Sequence, residues 1–254
     1  MPAIGFVGGG GMGGGGAAAA CTSRKWIRPT EWTDMPLTED GNNIVYLLWA
    51  VYADQPNFFA CDIDTSSGDY TVDLYNDGTT ITTHASSSQA DFDLDYTKGV
   101  DEFAERGYKQ IIIKITGLMT VLNFNRRHAS ESALYSTGLL SCKVTSQTVT
   151  SLYHCFRAQL CYHGSFEEYE HFGTCNVAKI PYAFYDCLAL ASLKSDFSNL
   201  DATTQIYPFR GTAFQDYGDI TMPSGAGVGD LQQALGSTRV TSFIGAKPRD
   251  FLRA

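Results

Sequence analysis

The sequence predicts a mostly β protein, a small β-sandwich followed by an irregular repeat solenoid. Three observations carry this expectation. Apolar and polar residues alternate with period two in short stretches of the first half. Turn residues divide those stretches at the spacing of an all-β sandwich. In the second half an anchor residue recurs at Phe156, Phe184, Phe209 and Leu235, a nearly constant step along the chain.

Composition bounds the answer. A chain of 254 residues suits one large domain or two small ones, and 44% hydrophobic residues can build a core. With 18 basic and 27 acidic residues the net charge is −9, which argues against nucleic-acid binding, where clustered Lys and Arg must displace counterions from phosphates. No apolar run reaches the roughly 18 to 20 residues of a membrane span. The charge is lopsided: residues 1–117 hold 16 acids and 7 bases, whereas residues 118–254 hold 11 of each. This asymmetry places a boundary near residue 118.

Residues 1–25 form the first segment. Nine of the 25 glycines precede Ala17, and no Lys or Arg precedes Arg24, so the segment lacks the basic start of a signal peptide. It reads as a flexible tail, or as a segment that orders when threaded against a larger assembly. Gly8, Gly9 and Gly10 would permit close backbone approach there.

Residues 26–117 form the second. Trp26 to Trp32 (WIRPTEW) is a Pro-broken aromatic lead-in, and residues 44–53 (IVYLLWAVYA) are a run of β-formers. Tyr70, Val72 and Leu74 share one face of a strand. Asn76-Asp77-Gly78 is a hairpin signal, since these residues tolerate positive φ, and Thr79 to Thr83 is the expected return strand. Asp91 to Tyr96 alternates strictly, Val100 to Arg106 reads as one helical turn, and Lys109 to Ile115 as a buried strand closed by Gly117.

The order YTVDLYNDGTT, DFDLDYTKG, GYKQIIIKITG resembles the PKD-like, Ig-like modules of phage fibre proteins and bacterial surface proteins over about residues 45–117. Val72-Asp73 and Asp77-Gly78-Thr79 keep that family's hairpin. Leu74-Tyr75-Asn76 stands where the family usually has a Trp-Gly pair. The resemblance implies an Ig-like sandwich.

Residues 118–254 form the third segment. The anchors recur with a period of about 25 residues, the scale of one leucine-rich-repeat coil, a strand plus a short helix or turn that must stack on neighbours to bury its apolar side. Thr145 to Leu152 and Thr238 to Phe243 are the expected strand portions. The unit Val177 to Leu193 (VAKIPYAFYDCLALASL) resembles the BspA-type leucine-rich repeat. By that resemblance Cys155 and Cys187 point into the solenoid. Residues 245–254 do not resemble a polar capping repeat, which is expected of a shortened solenoid or of an end docked on a neighbour.

Candidate chemistry is sparse. Asp62, Asp64, Ser66 and Asp69 resemble the start of a calcium loop, but Ser67 replaces the glycine at the sixth position and Asp73 the glutamate at the twelfth, so a solvated loop is expected. Cys161, His163, His171 and Cys175 are ligand types that zinc accepts, without the tight pairing of a zinc ribbon. Glu167, Glu168 and Glu170 read as a surface acidic cluster. Tyr153, Tyr162, Tyr169 and Tyr182 suit either an interface, where a tyrosine buries a ring and offers a hydroxyl, or the repeat core. The seven cysteines, an odd number with no secretory signal, favour free thiols. No phosphate loop, nucleophile elbow or metalloprotease motif is present, so neither an enzyme nor a cofactor is expected.

A Gly-rich tail, a PKD-like module and BspA-like repeats together resemble virion proteins of tailed phages, notably fibre-like proteins. That resemblance implies a virion structural protein, assembled in the host cytoplasm and attached through its tail and lead-in (Trp26, Trp32). The repeats would face a host receptor or glycan. Its partners would be other virion proteins and further copies of itself, a trimer foremost. The alternatives are a bacterial surface adhesion module of BspA type and a capsid decoration protein.

Overall fold

The computed structural model describes residues 26–36, 39–103, 106–128, 138–157, 165–201, 208–209, 212 and 220–221. These residues are mostly β. The strands are β1 Ile44–Val51, β2 Phe58–Thr65, β3 Tyr70–Asp73, β4 Ile81–His84, β5 Ser88–Asp93, β6 Val100–Phe103, β7 Tyr108–Thr116, β8 Met119–Asn123, β9 Leu139–Val144, β10 Glu168–His171, β11 Ser192–Asp196 and β12 Ile220–Thr221. The one helical element among the described residues is a 3-10 turn at Tyr96–Lys98, capped by the Asp95 side chain accepting from Thr97 N–H. No helix there is long and apolar enough to cross a membrane.

The strands form a nine-stranded sheet, ordered β12-β11-β10-β9-β1-β7-β3-β4 with β6 also on β7, and a three-stranded sheet ordered β5-β2-β8. β1 lies near the middle, antiparallel to β7 on one side and β9 on the other. β9 to β12 are all parallel. The sheets face each other through rings such as Trp49 on β1 and Phe59 on β2, whose centroids are 5.3 Å apart and nearly perpendicular. One buried cluster runs from Val45 through Phe59, Phe156 and Phe184 to Phe209, so the core continues across residue 118. β8, just past the expected boundary, returns to β2, and β9 pairs with β1.

The lead-in is a strap. Trp32 and half-buried Trp26 and Met35 pack with Leu48, Ala50, Tyr108 and Leu140 on the outer face of the large sheet. Polar contacts pin it there. Trp32 Nε1 donates to Tyr108 Oη at 3.0 Å, Gln110 Oε1 accepts from Thr33 N–H at 2.9 Å, and Gln110 Nε2 donates to the Glu31 carbonyl at 2.8 Å.

Several local expectations change. Asp62 and Asp64 sit on β2 rather than in a loop, because Arg126 pairs with Asp62 and the Ser87 hydroxyl donates to Asp64 at 2.6 Å. Residues 100–103 form β6 on β7 instead of a helical turn. The first strand of the parallel set is Leu139–Val144, just before the expected Thr145–Leu152, where only the isolated bridges of Ser151 occur.

Candidate functional site

The parallel set repeats at close to the interval of the anchors. Ser141 aligns with Glu168, Glu168 with Ser192, and Ser195 with Ile220. A second line of parallel bridges joins Val121 to Ser151 and Ser151 to Lys179. Between these lines the anchor rings form a ladder. Phe124–Phe156, Phe156–Phe184 and Phe184–Phe209 have centroid separations of 5.5, 5.3 and 5.6 Å. Each rung is tied to the next by main chain: Phe156 N–H donates to Ala183 O and Phe184 N–H to Pro208 O, both at 2.8 Å. Phe124, one rung before Phe156, extends the ladder beyond the anchors visible in the sequence. Leu235 lies outside the described residues.

The tight turns before Phe156 and Phe184 place side chains on the surface. His154 and Tyr182 hold equivalent positions, each two before a ladder phenylalanine, with φ of 56° and 54°. That left-handed backbone turns His154 N–H onto the Pro181 carbonyl at 3.0 Å. It favours glycine and costs a bulky residue on the order of 1 kcal/mol. The retained rings build a ridge. Tyr153, 52% exposed, stacks on His154 at 4.0 Å, and His154 meets Tyr182 edge-on at 5.0 Å. The Arg157 guanidinium lies over Tyr182 at 5.1 Å and Tyr185 at 5.5 Å. Burial, and secondarily the Arg157 charge, push the His154 pKa down, so its imidazole stays neutral near pH 7. Among the described residues His154 Nε2 is buried without a hydrogen-bond partner. Chemically the ridge offers ring faces flanked by one cation, a surface for apolar or planar faces of a ligand.

The ridge divides the tyrosines. Tyr153 and Tyr182 are on it. Tyr169 is fully buried, edge-on to Phe156 at 5.7 Å and to Phe184 at 5.1 Å. Tyr162 lies outside the described residues. His154, Arg157 and Tyr185 had no separate signal in the sequence. Their common feature, a position two before or one after a ladder phenylalanine, becomes visible only once the repeats are aligned.

Of the four zinc candidates, His171 and Cys175 are described, and both are buried. Cys161 and His163 lie outside the described residues. His171 is 4% exposed and its Nε2 donates to the Ser146 carbonyl at 3.1 Å, leaving Nδ1 toward the Tyr169 hydroxyl at 3.5 Å. Cys175 is buried with its Sγ 3.6 Å from Ser195 Oγ. Among the described residues no group of three or more His, Cys, Asp or Glu could hold a metal ion.

Glu167 and Glu168 hold the strap. Glu167 pairs with Arg106 and accepts from Trp26 Nε1 at 3.3 Å. Glu168, 6% exposed, accepts from Ser141 Oγ at 2.9 Å and lies 3.4 Å from Arg28 Nε. Glu170 lies on β10 at 4.0 Å from Lys143 Nζ. Trp32 is 3% exposed and serves this chain's own sheet, while Trp26 is half-buried beside it. Gly8, Gly9 and Gly10 lie outside the described residues. Cys61, Cys142, Cys155, Cys175 and Cys187 are free thiols, all buried. Cys187 Sγ donates to the Phe156 carbonyl at 3.0 Å, so Cys155 and Cys187 are interior, next to the ladder.

No family model matches the chain, and no curated protein or solved structure matches it.

Proposed function

We propose that this chain is a structural protein of a phage virion, a tail-fibre or fibre-like appendage subunit. In this reading the PKD-like sandwich is a spacer and the parallel set is a leucine-rich-repeat solenoid of BspA type, facing outward. The observation that carries it is the phenylalanine ladder with its in-register parallel strands. Such an arrangement supports an extended recognition scaffold, whose surface is set by what each turn places outside. The Tyr153–His154–Tyr182 ridge is the proposed contact with a host receptor or glycan. Attachment to other virion proteins falls to residues 1–25 and their glycines, since the Trp32 ring is engaged within the chain. The proposal gives the protein no catalytic step and no cofactor.

The five buried, unbridged thiols favour assembly in the reducing host cytoplasm over the exported-adhesin reading, in which bridges are expected. A capsid decoration protein differs only in where it docks. Antibodies raised against the full chain separate these readings by immunogold electron microscopy on particles and cells from a culture carrying the gene. Label on tails or fibres supports the proposal. Label confined to capsids makes the chain a decoration protein, and label on the cell envelope makes it an adhesin.

A further inference from the structure

Open sheet edges expose main-chain donors and acceptors, and proteins usually blunt them with lysine, proline, a bulge or a covering segment. The edges here are not alike. β5 is covered by the segment after β8: Gln89 Nε2 donates to the Arg127 carbonyl at 2.8 Å, and His128 Nε2 lies 3.8 and 3.5 Å from Asp91 and Asp93. β8 runs into the bridge from Val121 to Ser151. β12 leads into residues outside those described.

β4, Ile81-Thr82-Thr83-His84, has none of these protections among the described residues. It lies at the end of the large sheet, pairs there only with β3, and its Ile81 is 58% exposed. The direction of its outward groups follows from the ladder. Leu74 N–H donates to the Thr80 carbonyl at 3.1 Å, and bonded pairs alternate with non-bonded ones in an antiparallel ladder. Val72↔Thr82 and Tyr70↔His84 are therefore the bonded pairs, and Ile81 and Thr83 turn their N–H and C=O groups away from β3.

Charge singles out the same edge. Between Asp54 and Glu105 there are 12 acids and one base, yet residues 78–90 contain no Asp, Glu, Lys or Arg. The one titratable side chain in that strip, His84, stacks on Tyr70 at 5.4 Å and meets Phe92 edge-on at 5.4 Å. A neutral, β-forming strip within an acidic surface is the place where two copies with net charge −9 can meet without setting like charges opposite each other.

We propose that β4 pairs antiparallel with β4 of a second copy about a two-fold axis through Thr82, joining two nine-stranded sheets into one. Ile81 of each copy faces the partner's Thr83, the register in which the outward N–H and C=O groups of both residues match. The Ile81 side chain then lies beside the partner's Thr83 methyl. A four-residue seam is smaller than the roughly 1,200–2,000 Å² of a stable interface, so the dimer is weak and concentration-dependent. The inference does not rest on the virion assignment, and its failure leaves that assignment to the labelling experiment.

Sedimentation equilibrium of the full chain over a concentration series tests it, at about 0.05 and 0.5 M NaCl. The expected result is a monomer–dimer equilibrium that tightens with salt, as screening weakens the repulsion between acidic copies. Thr83→Pro removes an outward donor without touching the β3 ladder, and Ile81→Lys places a charge on the seam. Each should weaken dimerisation about tenfold or more and leave the thermal midpoint unchanged. A monomer at every concentration overturns the proposal. So does a trimer, or a dimer that neither variant weakens.

Discussion

The rings of Phe156 and Phe184, one repeat apart in sequence, stack with centroids 5.3 Å apart and planes within 16° of parallel. Both are fully buried, and Phe124 and Phe209 continue the stack on either side. Phe184→Ala should therefore open a cavity in the middle of the ladder and cost about 3–5 kcal/mol, whereas Phe184→Leu should cost clearly less. Chemical denaturation of the two variants checks this. Equal costs would show that volume at this rung is unimportant.

Gly138 sits where β9 meets β1. An added Cβ would overlap Trp49 Nε1 and the Ala50 carbonyl, and the Gly138 carbonyl accepts from Ala50 N–H at 2.7 Å. Neither neighbour can retreat without disturbing the β1–β9 ladder. Gly138→Ala is expected to lower stability by about 1–3 kcal/mol, while Gly78→Ala, with nothing within 4 Å but a φ of +73°, should cost about 1 kcal/mol. Thermal unfolding of the pair is the measurement.

Burial lowers the His171 pKa to about 4 from its ordinary 6.5, outweighing the opposing hydrogen bond to Ser146 and the Asp40 charge. The unfolded chain then takes up the proton first as the pH falls. Stability should be fully present above about pH 6.5 and drain away toward pH 4, by a few kcal/mol in total. His171→Gln should remove most of that slope. Denaturant midpoints measured between pH 4 and 8 decide it, and an unchanged slope in the variant would assign the pH dependence to other groups.

Burial also pushes up the thiol pKa values of Cys61, Cys142, Cys155 and Cys175, and closes solvent off from all five described cysteines, Cys187 included. Thiolate is the reactive form. In the native protein a disulfide reagent should titrate at most Cys21 and Cys161 quickly, with all seven accessible in denaturant. Fast reaction of three or more native thiols would contradict the burial described above.

The elements legible in the sequence were those whose partners are near in sequence or whose pattern is self-contained. The run at 44–53 contains β1, Lys109 to Ile115 lies within β7, and the Asp77-Gly78 turn joins β3 to β4. Three of the four anchors fall on the ladder, and the fourth, Leu235, is outside the described residues. β2 was hidden because its acids suggested a solvated loop, and their partners are distant: Arg126 is 64 residues from Asp62, and Ser87 is 23 from Asp64. β9 was hidden for another reason. A register shift opposite Leu48 and Trp49 breaks its period of two: Leu139, Cys142 and Val144 face the inner core, while Leu140 lies under the strap on the outer face. The ridge was the least legible, since it joins residues from two turns that only stacking brings together.

The strap also changes how the large sheet bears load. β1 and β7 are held by eight registered residue pairs, and both lie under the strap, whereas β3 shares three pairs with β7 and β10 shares three with β11. Tension applied across the strands therefore meets unequal resistance along the sheet. Separation is expected to begin outside the strapped centre, which opens last. By this pairing the large sheet is firm in the middle and yields toward its two ends.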